Sequence, residues 1–170
     1  MWRNIAIGFF VLGGFGAISE IFDRDKSKYY DTSKIQKFDT NFKQVMIECS
    51  KNREGQNGTW IHKDIIDTFC ELHDLGHTHS FEAYYDNELV GGGYGLEVGD
   101  IFCGESMFAK KADASKVAFY HLVQRLKKNG FKLVDCQIPT PHLVTLGAKE
   151  ISRELFLQYV SKALENPRDF

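Results

Sequence analysis

The chain reads as a mixed α/β protein: a three-stranded antiparallel meander runs into a βαβ crossover, and helices cover both faces of the mixed sheet. Three observations predict this. Strand-like runs over 78–85, 88–98 and 100–108 are separated by the tight-turn pairs Asp86-Asn87 and Gly99-Asp100, which makes neighbours antiparallel. A run with helical apolar spacing follows over 112–129, closed by Gly130. A further strand-like run, 131–138, comes next. A helix joining two strands of one sheet crosses over right-handed in almost every case, and the strands are then parallel.

The 170 residues predict one compact domain over 39–166, preceded by an apolar segment and connector over 1–38. An apolar fraction of 43% supplies a substantial core, and 26% charged residues is ordinary for a globular protein. The net charge of −2 hides a strong local bias: residues 110–132 carry net +6, while 41–109 carry net −8. The central helix and its flanks form a basic island in an acidic chain. Cys49, Cys70, Cys103 and Cys136 form no CxxC pair and no zinc-ligand spacing with the six histidines, so buried thiols in a reducing compartment are expected and no metal.

Taken in order, residues 5–18 are apolar or glycine throughout, too short for an ordinary transmembrane helix. A signal peptide with Arg3 as its basic flank is one reading. Buried strands are preferred, because four glycines among aromatic and β-branched residues disfavour a helix. Residues 21–36 read as a charged connector. A helix is expected from Asp39 as N-cap, with Phe42, Val45, Met46 and Cys49 on one side. Residues 51–58 are a loop by composition. A second helix over 63–75 should bury Ile65, Ile66, Phe69, Cys70, Leu72 and Leu75, ending at a left-handed Gly76. Gly91-Gly92-Gly93 in mid-strand implies either a bulge or close helix packing, or close approach of a ligand. Short helices near 142–146 and over 153–164 complete the chain.

Chemistry is sought where the crossover strands end. Glu105 and Met107 are two apart on one strand, Asp135 and Gln137 on the other, so each pair shares a face. Parallel strands would bring their carboxyl ends to one edge, where open α/β sheets bind ligands. The plainer reading is that polar residues at strand ends satisfy loop backbone. Cys136, between Asp135 and Gln137, points away and is no nucleophile.

The wording of the sequence adds to this. GESMF, ASKVA, DCQ and HLVTLGAKEISRELFL follow TWI and LHDLGHTHSFEAYYDNELVGGGYG in order and spacing. Over about residues 38–160 the chain closely resembles the leucyl/phenylalanyl-tRNA–protein transferase family. The resemblance implies a GNAT-like acyltransferase domain, and the element order read above is the GNAT order. It implies transfer of Leu or Phe from aminoacyl-tRNA to proteins beginning with Arg or Lys, which tags them for degradation. Asp135 and Gln137 would form the relay that activates the acceptor amine, and Glu105 would orient the ammonium or the aminoacyl group. Trp60, Ser106, Phe102 and Met107 would bind substrate, the last two in an apolar pocket. Lys110, Lys111 and Lys116 would meet tRNA phosphates.

A cytoplasmic monomer with no cofactor and no stable membrane association is expected. Coenzyme A is disfavoured, because the turn before the central helix, Phe108 to Asp113, holds no glycine and places Asp113 where pyrophosphate would sit. Departures from the family pattern are Ala109 for Ser after GESMF and Gly93 for Leu in LVGGLYG. The GGDL and double-tryptophan SPDPR segments of the family's N-terminal region have no match. A tRNA- or N-terminus-binding relative without catalysis, or a GNAT-like acyltransferase with another donor, are the alternatives.

Overall fold

The computed structural model describes residues 7–11, 36–52 and 58–170. Its elements, in chain order, are β1 (Ile7–Val11), β2 (Gln36–Phe38), α1 (Phe42–Ser50), α2 (Lys63–Asp74), β3 (Thr78–Tyr85), β4 (Glu88–Val98), β5 (Ile101–Ala109), α3 (Ala114–Lys128), β6 (Leu133–Gln137), α4 (Pro141–Thr145), β7 (Lys149–Ile151) and α5 (Arg153–Ala163). Strands hydrogen-bond in the order β2-β3-β4-β5-β6-β1-β7, a mixed sheet in which β3 and β4 pair antiparallel and β5 and β6 parallel. Among the described residues no helix is long and apolar enough to cross a membrane. The chain divides into two compact units, one of residues 31–96 and 105–122, the other of residues 1–30, 97–104 and 123–170.

The unit of residues 31–96 and 105–122 is built on the β3–β4 hairpin. Asp86 and Asn87 both adopt positive φ (50° and 66°), the geometry of a two-residue hairpin turn. Its core joins Phe42, Val45, Met46 and Cys49 of α1 to Ile61, Leu89, Tyr94 and Phe108, with Ile65, Ile66, Phe69 and Cys70 of α2 packed against them. Leu75 is 70% exposed rather than buried, because α2 ends at Asp74 and Gly76 turns the chain at φ +82°.

Asp39 is not the N-cap of α1. It sits at φ +56°, and its carboxylate accepts from the Ser80 amide (2.8 Å) and lies 2.9 Å from His79 Nδ1. The helix starts two residues later, after Asn41. The amides just ahead of the helix are met from the neighbouring strand β3: Glu82 Oε1 accepts from Thr40 N (2.9 Å) and Asn41 N (2.8 Å). The same carboxylate accepts from Ser80 Oγ and Tyr84 Oη, both at 2.8 Å.

The three glycines serve packing. A Cβ on Gly91 would lie 2.6 Å from Ala114 Cβ and 2.7 Å from its carbonyl carbon. On Gly93 it would lie 2.5 Å from Phe81 Cζ and from the Ser106 carbonyl oxygen, so the family's leucine has no room here. Beside them the register slips by one residue at Val90, whose carbonyl accepts instead from Lys110 N (2.7 Å).

In the other unit, β6 lies between β5 and β1, and β1 also pairs antiparallel with β7. The expectation of strand in the apolar N-terminal segment holds for Ile7–Val11; the rest of residues 1–35 lies outside the described residues. Ile101, Leu133 and Ala163 form this unit's core, with Cys103, Ile151, Phe156, Tyr159 and Val160 against it. Strands β2 and β7 escaped the sequence reading because three residues show no alternation.

Candidate active site

Strand β6 brings the candidate acid and amide together by its backbone irregularity. Leu133 and Val134 are buried and anchor the strand, paired with Ile101 and Phe102 of β5. On its other edge, Phe9 pairs with Asp135 but Gly8 pairs with Gln137, which leaves Cys136 as an extra residue. This is a β-bulge, and Gln137 follows it at φ +60°, a left-handed conformation uncommon for a residue that is neither Gly, Asn nor Asp. Strict alternation therefore stops at Asp135, and the shared face expected for Asp135 and Gln137 is not what joins them. The Gln137 amide N–H donates to Asp135 Oδ1 at 2.7 Å, and Gln137 Nε2 reaches the Gly104 carbonyl at 3.4 Å. A sparsely populated backbone conformation beside a half-buried carboxylate is the kind of strain that accompanies function.

Burial pushes the Asp135 carboxyl up from the ordinary aspartate range, and the Gln137 amide only partly offsets this. Such a group takes up a proton more readily than a solvated aspartate does, the direction a general base working near neutral pH requires. Burial, with the nearby Asp135 charge, pushes the Cys136 thiol up to about 12, so it carries no thiolate at neutral pH. Cys49 is buried as expected; Cys70, Cys103 and Cys136 are only half-buried, and all four are free thiols.

The other candidates stand as follows. Glu105 follows Gly104 directly in β5 and is half-buried, as are Ser106 and Met107. Phe102 is fully enclosed, its ring stacked on Phe170 at 5.6 Å between centroids. Trp60, just before α2, is 53% exposed, while its neighbour Ile61 is buried at 3%. Lys110 Nζ lies 2.7 Å from Glu48 Oε1. Burial pushes the Glu48 carboxyl up, but Lys110, Lys51 and Gln44 hold it below the usual range. Lys111 Nζ sits 3.7 Å from the centroid of the Tyr85 ring, and Lys116 pairs with Asp113 at 2.5 Å. Part of the basic island is thus spent on internal partners. Among the described residues no group of three or more His, Cys, Asp or Glu could hold a metal ion.

One residue that the sequence reading passed over is Tyr94, buried in the first core with its ring edge-on to Phe42 and Phe69. Its place between glycines in a strand was the only signal.

Comparison with known proteins identifies the family of the chain. The family model for leucyl/phenylalanyl-tRNA protein transferase matches residues 21–161. A leucyl/phenylalanyl-tRNA–protein transferase of Chromobacterium violaceum is 45% identical over 130 residues, covering 76% of this chain and 56% of the relative. One of Sulfurimonas denitrificans is 51% identical over 131 residues, covering 76% and 58%. The chain thus spans little more than half the length of these relatives. Among solved structures, a conserved protein of unknown function from Bacteroides thetaiotaomicron aligns with a TM-score of 0.57 at 14% identity, covering 94% of this chain and 55% of that one. The C-terminal domain of a putative lysylphosphatidylglycerol synthetase from Agrobacterium fabrum aligns at 0.51 and 11% identity, covering 94% and 51%. These two likenesses speak for the fold alone.

Proposed function

Because the chain belongs to the leucyl/phenylalanyl-tRNA protein transferase family, we propose that it moves a leucyl or phenylalanyl group from the ester of an aminoacyl-tRNA to the α-amine of a protein beginning with Arg or Lys, tagging that protein for degradation. The observation that carries the reading is the DCQ strand end, where a carboxyl of raised proton affinity is hydrogen-bonded to a strained glutamine.

The acceptor nitrogen attacks the acyl carbonyl carbon. The new C–N bond forms as the C–O bond to the terminal ribose breaks. Asp135 takes the proton that the amine loses and returns it to the departing ribose oxygen, so the protein ends unchanged. Ester to amide runs downhill and needs no ATP. Gln137 Nε2 surrenders its long bond to the Gly104 carbonyl to hold the reacting groups. In this reading, drawn from the family resemblance, Glu105 meets the cationic acceptor, Met107 and Ser106 meet the aminoacyl group, and Phe102 contributes apolar surface for it. Trp60 offers its exposed indole for stacking on the terminal base. Lys111 and Lys116 meet tRNA phosphates, while Lys110 serves Glu48 first. The fold in this reading is GNAT-like, and the enzyme works as a cytoplasmic monomer.

The test is transfer of labelled leucine from charged leucyl-tRNA to a peptide beginning with Arg. Incorporation by the wild-type chain, lost in Asp135→Ala with little change in melting midpoint, is expected. A wild-type chain that binds the charged tRNA yet labels no peptide overturns the catalytic reading.

A further inference from the structure

Tyr94 is 0% exposed, yet among the described residues its phenol oxygen has no hydrogen-bond partner. Buried polar groups in folded proteins are almost always paired, and each exception calls for a reason. Phenylalanine would fill the same space between Phe42 and Phe69 without the cost of desolvating a hydroxyl. The hydroxyl therefore answers to something other than packing.

The hairpin of β4 and β5 supplies the candidate partner. Its turn is the pair Gly99-Asp100, with Gly99 at φ +61°. Counting back from Val98 and Ile101, Tyr94 stands opposite Glu105, at the separation of cross-strand pairs. The contact of Gly93 with the Ser106 carbonyl agrees with that register. Burial, with the charges of Cys49 and Glu105, raises the phenol's pKa far above the physiological range. The Tyr94 proton is thus held at every working pH, and the phenol can act as a standing donor beside a carboxylate.

We propose that Tyr94 is a positioning residue for Glu105: its phenol supplies the hydrogen bond that orients this carboxylate to receive the cationic amine of the acceptor. This rests on the function proposed above. The hydrogen bond forms when Glu105 takes its working rotamer.

The experiment compares Tyr94→Phe with wild type in the full chain, with argininamide as the cationic probe. The Glu105 side-chain carboxyl is followed by carbon NMR across a pH titration, its signal identified by its loss in Glu105→Gln. Loss of a hydrogen bond to the ionised form should raise the Glu105 midpoint by about one pH unit. Transfer should fall about tenfold or more in kcat with little change in KM. The melting midpoint should stay or rise. An unchanged Glu105 titration overturns the proposal, as does a variant that melts much lower with that titration unmoved, since the phenol then serves the core. If wild type transfers nothing, the proposed function fails while the titration still decides the role of Tyr94.

Discussion

Glu82 offers the sharpest test of how the described structure holds together. Its carboxylate is 1% exposed and accepts from Thr40 N, Asn41 N, Ser80 Oγ and Tyr84 Oη. In Glu82→Ala these four donors lose their acceptor together. Thr40 and Asn41 are exposed and would turn to water, at small cost. Ser80 is fully buried and Tyr84 half-buried, so their hydroxyls carry most of the penalty. At about 1–3 kcal/mol for each stranded donor, with a smaller share for the loosened start of α1, the loss is about 3–5 kcal/mol. In a chain of this length that lowers the melting midpoint by about 10 °C. Glu82→Gln keeps one oxygen for Thr40, Asn41 and Ser80 and turns its amide to the Tyr84 oxygen, so it should lose only about 1 kcal/mol. Urea melts followed by circular dichroism measure both, and hydrogen exchange at Thr40 and Asn41 reports the start of α1. A Glu82→Ala chain within about 1 kcal/mol of wild type, or a glutamine variant as damaged as the alanine one, would refute the account.

The remaining expectations follow from the same contacts. Asp135 has a raised folded pKa, so below its unfolded value both states are protonated and it costs nothing, whereas above its folded value ionisation opposes folding. Asp135→Asn should therefore stabilise the chain at neutral pH, lose that gain as pH falls toward about 4, and abolish transfer; a melting midpoint that drops at pH 7 contradicts this. Phe10→Pro removes an amide from a strand hydrogen-bonded on both edges and should give an insoluble or strongly destabilised protein, seen by solubility and thermal melts. Lys111→Glu should weaken tRNA binding and reduce the slope of log affinity against log salt by about 0.7–0.9 with folding intact, whereas Lys110→Glu should lower the melting midpoint by exposing Glu48 to a like charge. Equal salt slopes for wild type and Lys111→Glu would make Lys111 a solvated side chain only.

What sequence could foretell divides along the range of the forces involved. The bounds of β3 and β4 and the left-handed Asp86, Asn87, Gly76 and Gly130 follow from alternation and turn chemistry within a few residues. The resemblance singled out Asp135 and Gln137, and the backbone does bring them into one hydrogen-bonded pair. The device that does so was invisible, because a bulge arises from unequal pairing with β1, more than 120 residues earlier in the chain. Asp39 has the local look of an N-cap, while the carboxylate that meets the amides ahead of α1 is Glu82, 41 residues beyond Asn41. Lys110 read as a free cation because Glu48 lies 62 residues away. Alternation, caps and turns are local rules, and each failure is a long-range contact.

The position of β1 bears on the order in which the protein assembles. Ile7 pairs with Ile151 and Val11 with Leu133, so this strand finds both its neighbours only across most of the chain. The β3–β4 hairpin closes over a two-residue turn and can form early. Joining β1 to β6 and β7 costs far more chain entropy, which slows that step and leaves the apolar β1 and one edge of β6 unmatched while it is pending. The unit that carries Asp135 and Gln137 would then close last. Until it does, Gln137 lacks one of its two flanking strands, so the strained end of β6 would be shaped only at the final stage of folding.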